Sequence, residues 1–282
     1  VSFAVVLVLH RSRDELTTLL PMLPRRTQIV VVDNGPDDGG ATLAAERGAT
    51  VIERRDNPGF GAACNLALEH VTQDVTVLLN PDTEPVDNAL GKLVQRARPG
   101  GLHAPRLVNP DGSLQRSAHP LPGTLGAFIP ALLPVAPLRA EPFRAKRPRT
   151  VGWAIAAALA ARTDVLRRLR FDERIHLWAE DMDLCLRARA AGIRTIYHPD
   201  LRVVHTGRHS VHDEPFEQLA RNRRDVIERT RGRTARRLDD AAQLLTFATR
   251  ALVKRPNERE RAQLDALLKH RSPGSARASE GG

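Results

Sequence analysis

The chain reads as an α/β protein built on a mainly parallel sheet flanked by helices. Three observations predict this. Over the first 100 residues, short apolar runs alternate with stretches of helical period. The first run, Phe3 to Leu9, is continuously apolar, as in a strand buried on both faces. Two such runs lead into acids in turn-forming sequence, Asp33 and Asp82, at the strand ends where these sheets hold ligands.

Taken in order, Phe3 to Leu9 is the first strand. Ser12 to Leu23 follows as a helix with Leu16, Leu19, Leu20 and Leu23 on one face, stopped by Pro24. Gln28 to Val32 is a strand leading into Asp33-Asn34-Gly35-Pro36. Ala41 to Arg47 is a helix, and Thr50 to Glu53 a strand. The loop Asn57-Pro58-Gly59-Phe60-Gly61 opens a helix that passes Asn65 and runs to His70. Its backbone amides suit an anion such as a diphosphate. The Gly-x-Gly spacing is not a dinucleotide fingerprint, because a third glycine is missing and the loop follows the third strand. Val75 to Leu79 is a strand entering Asn80-Pro81-Asp82-Thr83. There an oxygen ligand for a hard divalent cation and a plain turn compete.

Residues 119 to 150 hold seven prolines among apolar and then basic residues, and no regular element fits them. A loop over an acceptor site, a lipid-touching flap and a surface insertion all remain open. Residues 176 to 209 carry the densest chemistry. Trp178 precedes three carboxylates, Glu180, Asp181 and Asp183, at the start of a helix that Gly192 ends. Two β-type runs follow, Ile193 to Tyr197 and Leu201 to His205, the second closing on an imidazole beside a turn. Carboxylates with a strand-end histidine can deprotonate a hydroxyl and hold a divalent metal, although acids at a helix start also serve as caps.

Hydrophobic content of 41% and charged content of 27% are ordinary for a globular chain. The longest apolar stretch, Ala127 to Leu138, is too short for a transmembrane helix and holds three prolines. The N-terminal run reads as a buried strand rather than a signal peptide. Cys64 and Cys185 sit in apolar, helix-like contexts as reduced thiols, which fits a cytoplasmic protein. The net charge is +10, and from Arg202 onward 18 Lys and Arg face 11 Asp and Glu. Phe216 to Arg229, Asp239 to Lys254 and Glu258 to Lys269 read as arginine-rich amphipathic helices, and 271–282 as a disordered tail. Contact with the inner face of an anionic membrane, packing on the rest of the chain and a homodimer contact are the candidate roles. Nucleic acid is disfavoured: no recognition module is present, and aromatics at 4% offer few stacking platforms.

Five segments then point to a family. V-V-V-D-N at 30 to 34, N-P-G-F-G-A-A-C-N at 57 to 65, L-L-N-P-D-T at 78 to 83, the segment 104 to 117, and W-A-E-D-M-D-L-C-L-R at 178 to 187 occur in this order. Together they resemble a family 2 glycosyltransferase of the GT-A fold, rhamnosyltransferase-like branch, over residues 3 to 209. The resemblance implies a GT-A domain over 1–209, and the arginine-rich helical pattern beyond it reads as a basic helical extension over 210–270. It implies an inverting transfer of a sugar, rhamnose being one candidate, from a dTDP- or UDP-linked donor to an acceptor hydroxyl, which in such pathways is often lipid-linked. It implies Asp181 as catalytic base, with Glu180 sharing that duty or holding the acceptor. Asp33 and Asn34, Asn57, Gly59, Phe60, Gly61 and Asn65, and Asn80 and Asp82 would line the donor. Asp82 and His205 would hold Mg2+ or Mn2+, and Trp153 and Trp178 would face the acceptor. Two departures bear on specificity: Leu9-His10-Arg11 ends the first strand, and Ala156 stands where many relatives have glycine. A non-catalytic sugar-nucleotide binder is the main alternative. A nucleotidyltransferase would want a glycine-rich loop after the first strand, and His10-Arg11-Ser12-Arg13 provides none.

Overall fold

The computed structural model describes residues 2–128, 141–207 and 216–251, with 261, 264, 265, 267 and 268. The chain forms two compact units, one of Val1–Leu121 with Arg139–His212, the other of Pro122–Leu138 with Asp213–Gly282.

The first unit is organised by one mixed sheet. Its strands are β1 (Ala4–Leu9), β2 (Gln28–Asp33), β3 (Thr50–Glu53), β4 (Val75–Leu79), β5 (Thr83–Pro85), β6 (Leu102–Val108), β8 (Arg149–Val151), β10 (Ala158–Arg162) and β11 (Thr195–His205). A separate ribbon pairs β7 (Ala118–His119) with β9 (Trp153–Ala154). The sheet order is β3-β2-β1-β4-β10-β6-β11-β5, with β8 also on β11. The four N-terminal strands are parallel, and β10 enters antiparallel between β4 and β6.

The helices are α1 (Arg13–Leu19), α2 (Gly40–Glu46), α3 (Phe60–Glu69), α4 (Ala89–Ala97), α5 (Thr163–Leu169) and α6 (Glu180–Ala190). Alternation along β1 supplies both layers. Ala4 and Val6 join a core with α3, α5 and α6 through Cys64, Leu68, Leu166 and Leu184. Val5, Leu7 and Leu9 face α1, α2 and α4 through Leu16, Leu19, Ala44 and Leu93. A strand buried on both sides has no polar period, which is why its sequence is continuously apolar. Cys64 and Cys185 are both free and buried.

Three expectations change in detail. The first helix ends at Leu19 and tightens into a 3-10 turn over Leu20–Met22 before Pro24. The two β-type runs around 193–205 form one strand, β11, whose register against β6 shifts between His198 and Arg202. That irregularity absorbs Pro199, which has no amide for the ladder. Within 119–150 the chain does form regular pieces: 3-10 turns at Leu125–Phe128 and Pro142–Arg144, and the start of β8.

In the second unit, α7 (Phe216–Ala251) is broken at Gly232, whose φ of 84° no helix contains. Arg223 makes a two-pronged ion pair with Asp239, both contacts 2.8 Å. Sixteen residues span about 24 Å along a continuous helix, so the halves must fold back on each other. Arg224 reaches Asp240 at 3.2 Å, and Arg236 pairs with both Glu228 and Asp240. Much of the basic charge here is therefore matched internally. The second half begins at the glycine, before Asp239, because only Gly232 accepts the left-handed turn. The expected third helix lies mostly outside the described residues, and the tail wholly so. No helix among the described residues is long and apolar enough to cross a membrane.

Candidate active site

The strand ends of β1 to β4 bring the first group together. Asp33, at the end of β2, is 1% exposed. One carboxylate oxygen accepts the Gly35 amide at 3.1 Å and the other the Arg55 guanidinium at 2.9 Å. Burial raises its pKa, while the Gly35 amide and Arg55 oppose the rise. Arg55 also donates to the Gly35 carbonyl (2.6 Å) and to Glu53 (2.7 Å). The acid is thus presented as part of a carboxylate–guanidinium pair. Arg55 carried no signal in the sequence beyond being one of two arginines after β3.

Asn34 is also buried. Its Nδ2 donates to the Gly59 carbonyl at 3.2 Å, while its Oδ1 has no hydrogen-bond partner. Asn57 enters the next loop with a left-handed φ of 44°. Gly59 has φ +93° and ψ 169°, a region essentially reserved for glycine. A Cβ there would lie 2.3 Å from the carbonyl oxygen of His176. The bare backbone lets the Phe60 amide donate to that oxygen at 3.2 Å. Gly61 is needed for a similar reason, since a Cβ would press on Phe171 at 2.8 Å, and Phe60 meets the Phe171 ring edge-on. Asn65 is fully engaged by this same segment. Its Nδ2 donates to the Phe171 carbonyl and Glu173, and its Oδ1 accepts the Phe171 amide. It secures the 171–173 segment and has no N–H to give a ligand.

The segment fastened in this way leads into α6. Trp178 and Ala179 both have φ 71°, so two consecutive non-glycine residues are left-handed just before the helix. Such residues cost on the order of 1 kcal/mol or more each and persist only where the surroundings hold them. Glu180 is buried, and Asp181 is half-buried, with its Oδ1 accepting the Met182 amide at 2.6 Å. Asp183 is buried in an ion pair with Arg187 at 2.7 Å, which makes it a structural residue. Burial and the neighbouring Asp181 charge raise the Glu180 pKa to about 8.

The second group gathers at the ends of β4 and β11. The Asn80 amide donates to the Ala157 carbonyl at 2.9 Å, and Thr83 closes the turn onto the Asn80 carbonyl. Pairing of Thr83 in β5 with His205 in β11 sets Asp82 beside the imidazole. Asp82 Oδ2 accepts from Thr206 Oγ1 and the Gly207 amide, and its Oδ1 lies 3.5 Å from His205 Nε2. Gln115 fixes the state of that ring. Its Nε2 donates to Asn109 and to the His205 carbonyl, so Oε1 is left to face His205 Nδ1 at 2.9 Å. Nδ1 therefore carries the hydrogen. Burial lowers the His205 pKa against the opposing pull of Asp82, favouring the neutral ring. A bare Nε2 and a carboxylate oxygen then face each other, an arrangement that a cation relieves. Among the described residues no cluster of three or more His, Cys, Asp or Glu could hold a metal.

Residues 153–157 tie this group to α6. The Cys185 thiol reaches the Ala154 carbonyl at 3.9 Å, three residues before the carbonyl that holds Asn80. Trp153 stacks on His119 with ring centroids 3.9 Å apart, and its indole nitrogen is buried with no hydrogen-bond partner. His119 and Gln115 both escaped the sequence reading. Gln115 lies within the 104–117 segment, where its role would have been legible only from the pairing of β6 with β11.

Residues 9–121 match the model of glycosyl transferase family 2. The chain is 28% identical over 246 residues to an N-acetylglucosaminyl-diphospho-decaprenol L-rhamnosyltransferase of Mycobacterium tuberculosis, covering 77% of this chain and 80% of that one. Its fold is similar to that of the mannosyltransferase PcManGT from Pyrobaculum calidifontis, solved with GDP-Man and Mn2+, at a TM-score of 0.59 and 15% identity over 97% of this chain and 76% of the other. It is likewise similar to GalNAc-T7, solved with UDP, GalNAc and Mn2+, at a TM-score of 0.59 and 15% identity over 80% of this chain and 48% of that chain. These likenesses identify the fold as GT-A.

Proposed function

We propose, for a chain that belongs to glycosyl transferase family 2, that it transfers a sugar from a nucleoside-diphosphate donor to an acceptor hydroxyl with inversion. One observation carries the reading. The loop of Gly59 and Phe60 is clasped both by Asn34 of the β2 turn and by His176 of the segment entering α6. The donor-side turn and the acids of α6 are therefore fastened to one loop.

In this reading Asp33 and Asn34 meet the base or ribose, with Arg55 as the cationic half of the Asp33 contact. Asn57, Gly59, Phe60 and Gly61 supply backbone and ring surface to the donor, and Asn80 shapes the turn that presents Asp82. Asp82 and His205 are the residues that would hold Mg2+ or Mn2+, which supplies positive charge opposite a diphosphate. Asp181 takes the proton of the acceptor hydroxyl as its oxygen attacks the anomeric carbon and the bond to the diphosphate oxygen breaks. Trp153, stacked on His119, and Trp178 give the acceptor apolar faces. The similarity to a decaprenol-linked rhamnosyltransferase supports rhamnose as the sugar and a lipid-linked acceptor. In the second unit, Leu238 and Leu245 are exposed two turns apart, which supports a membrane surface as the place where such an acceptor is met.

The test is thermal stabilisation by a panel of nucleoside diphosphates with and without Mg2+ or Mn2+. Stabilisation by UDP or dTDP that requires the metal is expected, about 2.7 kcal/mol at a hundredfold excess over Kd. No response to any nucleotide, with a shift on duplex DNA, refutes the proposal.

A further inference from the structure

Glu180 is the first residue of α6, 8% exposed, and its Oε2 has no hydrogen-bond partner. An ionised carboxylate with a bare buried oxygen is costly unless a cation neutralises it. Around Glu180 the neighbours are neutral or anionic. From α3 it meets Cys64, whose thiol is kept protonated by burial. On its own helix Asp181 is adjacent, Asp183 is committed to Arg187, and burial pushes the Cys185 thiol up to about 12. The β9 strand packed on α6 carries no ionisable side chain, and in β11 the Tyr197 hydroxyl donates to the Phe143 carbonyl. On α5, Arg167 donates to the carbonyls of Leu68 and Val71, and Arg168 is exposed. Among the described residues no ion pair reaches Glu180.

We propose that Glu180 is held as the neutral acid at working pH, so that the pair it forms with Asp181 carries a single negative charge, localised on Asp181. The proposal rests on the reading of Asp181 as the base and makes Glu180 a positioning residue that acts through it. Ionising the buried Glu180 would add repulsion from the Asp181 charge to the cost of burying a bare carboxylate, and both effects keep the proton on it. Burial assigns the proton to Glu180, in line with a pKa raised to about 8, first by burial and then by Asp181. Above that pH the second charge appears beside the base and disfavours the arrangement that receives a hydroxyl. The folded protein also keeps a proton that the unfolded chain gives up above the ordinary value of 4.5. Stability therefore falls as pH rises from about 4.5 through about 8, because the native state binds more protons there.

The experiment is infrared spectroscopy of the full chain across pH, comparing wild type with Glu180→Gln. A protonated-carboxyl band in the wild type at pH 6.5, absent from the variant and fading as pH passes about 8, is expected. Absence of that band at pH 6.5 overturns the proposal. Should Glu180→Gln not fold, the wild-type titration decides alone, read by NMR of 13C-labelled glutamate side chains: one resonance must titrate near 8, and none doing so overturns it. In turnover, the alkaline fall of kcat/KM must be lost in Glu180→Gln, and an unchanged limb counts against the idea. The two readings fail separately. A protonated Glu180 without transfer from any nucleotide sugar removes the base assignment, whereas transfer with an ionised Glu180 removes only this inference.

Discussion

Gly59→Ala tests the clasp between the donor loop and the entry to α6. Alanine at φ +93° and ψ 169° occupies a region that side-chain-bearing residues avoid, at about 1–3 kcal/mol. The added Cβ would also sit 2.3 Å from His176 O and 2.9 Å from its carbonyl carbon and Cα, a collision with backbone that no rotamer relieves. Overpacking of this kind costs a further ~1–3 kcal/mol. The sum, about 2–6 kcal/mol, is a large share of the ~5–15 kcal/mol that holds a domain folded. Gly48→Ala is the internal control: its φ is +83°, but a Cβ there meets nothing within 4 Å, so it carries backbone strain alone. Urea unfolding of both variants separates the two costs. Gly59→Ala should lose at least about 1 kcal/mol more than Gly48→Ala. It should also weaken nucleotide binding, which Gly48→Ala should leave intact. Equal losses in the two variants, with nucleotide binding preserved, would refute the seating of Gly59 on His176.

Asp82→Ala should abolish the metal-dependent part of nucleotide stabilisation while leaving a weaker metal-independent part, read by thermal shift with and without Mn2+; an undiminished metal effect would remove Asp82 from the metal-holding pair. Asp239→Ala removes the buried carboxylate that both Arg223 and Gln243 reach and should destabilise the helix pair on either side of Gly232 by about 1.5–3 kcal/mol. Hydrogen exchange over 216–251 is the readout, and unchanged protection there would contradict a fold-back held by that ion pair.

The sequence made the sheet and its first strands legible because β1, β2 and β4 are dominated by apolar β-branched residues and leucine and each leads into polar or turn-forming residues. The acids of the site were legible for a related reason: Asp33, Asp82 and Asp181 occur where local pattern changes, and a carboxylate at such a point needs explaining. Their partners were not. Arg55, Gln115 and His176 act on residues 22, 90 and 116 positions away, and they become neighbours only through the pairing of β3 with β2, the run of β11 beside β6, and the return of the His176 segment to the start of α3. Asn65 shows the converse. It stands in a motif that suggests ligand contact, yet every hydrogen-bonding atom of its amide is engaged by Phe171 and Glu173. The interruption near Gly232 was legible as the gap between the helices read at Phe216 to Arg229 and Asp239 to Lys254; what the residues did not show is that helix resumes directly at the glycine.

The most direct test of the whole account is transfer of a labelled sugar from its nucleoside-diphosphate donor to an acceptor by wild type and by Asp181→Asn, with nucleotide affinity measured in parallel. Asparagine keeps the shape of the side chain and the contact to the Met182 amide but cannot take a proton. Loss of at least about a hundredfold in kcat, with nucleotide affinity changed by less than about twofold, is the predicted result. Normal turnover by Asp181→Asn would show that the hydroxyl proton goes elsewhere and that the acids of α6 are not the base.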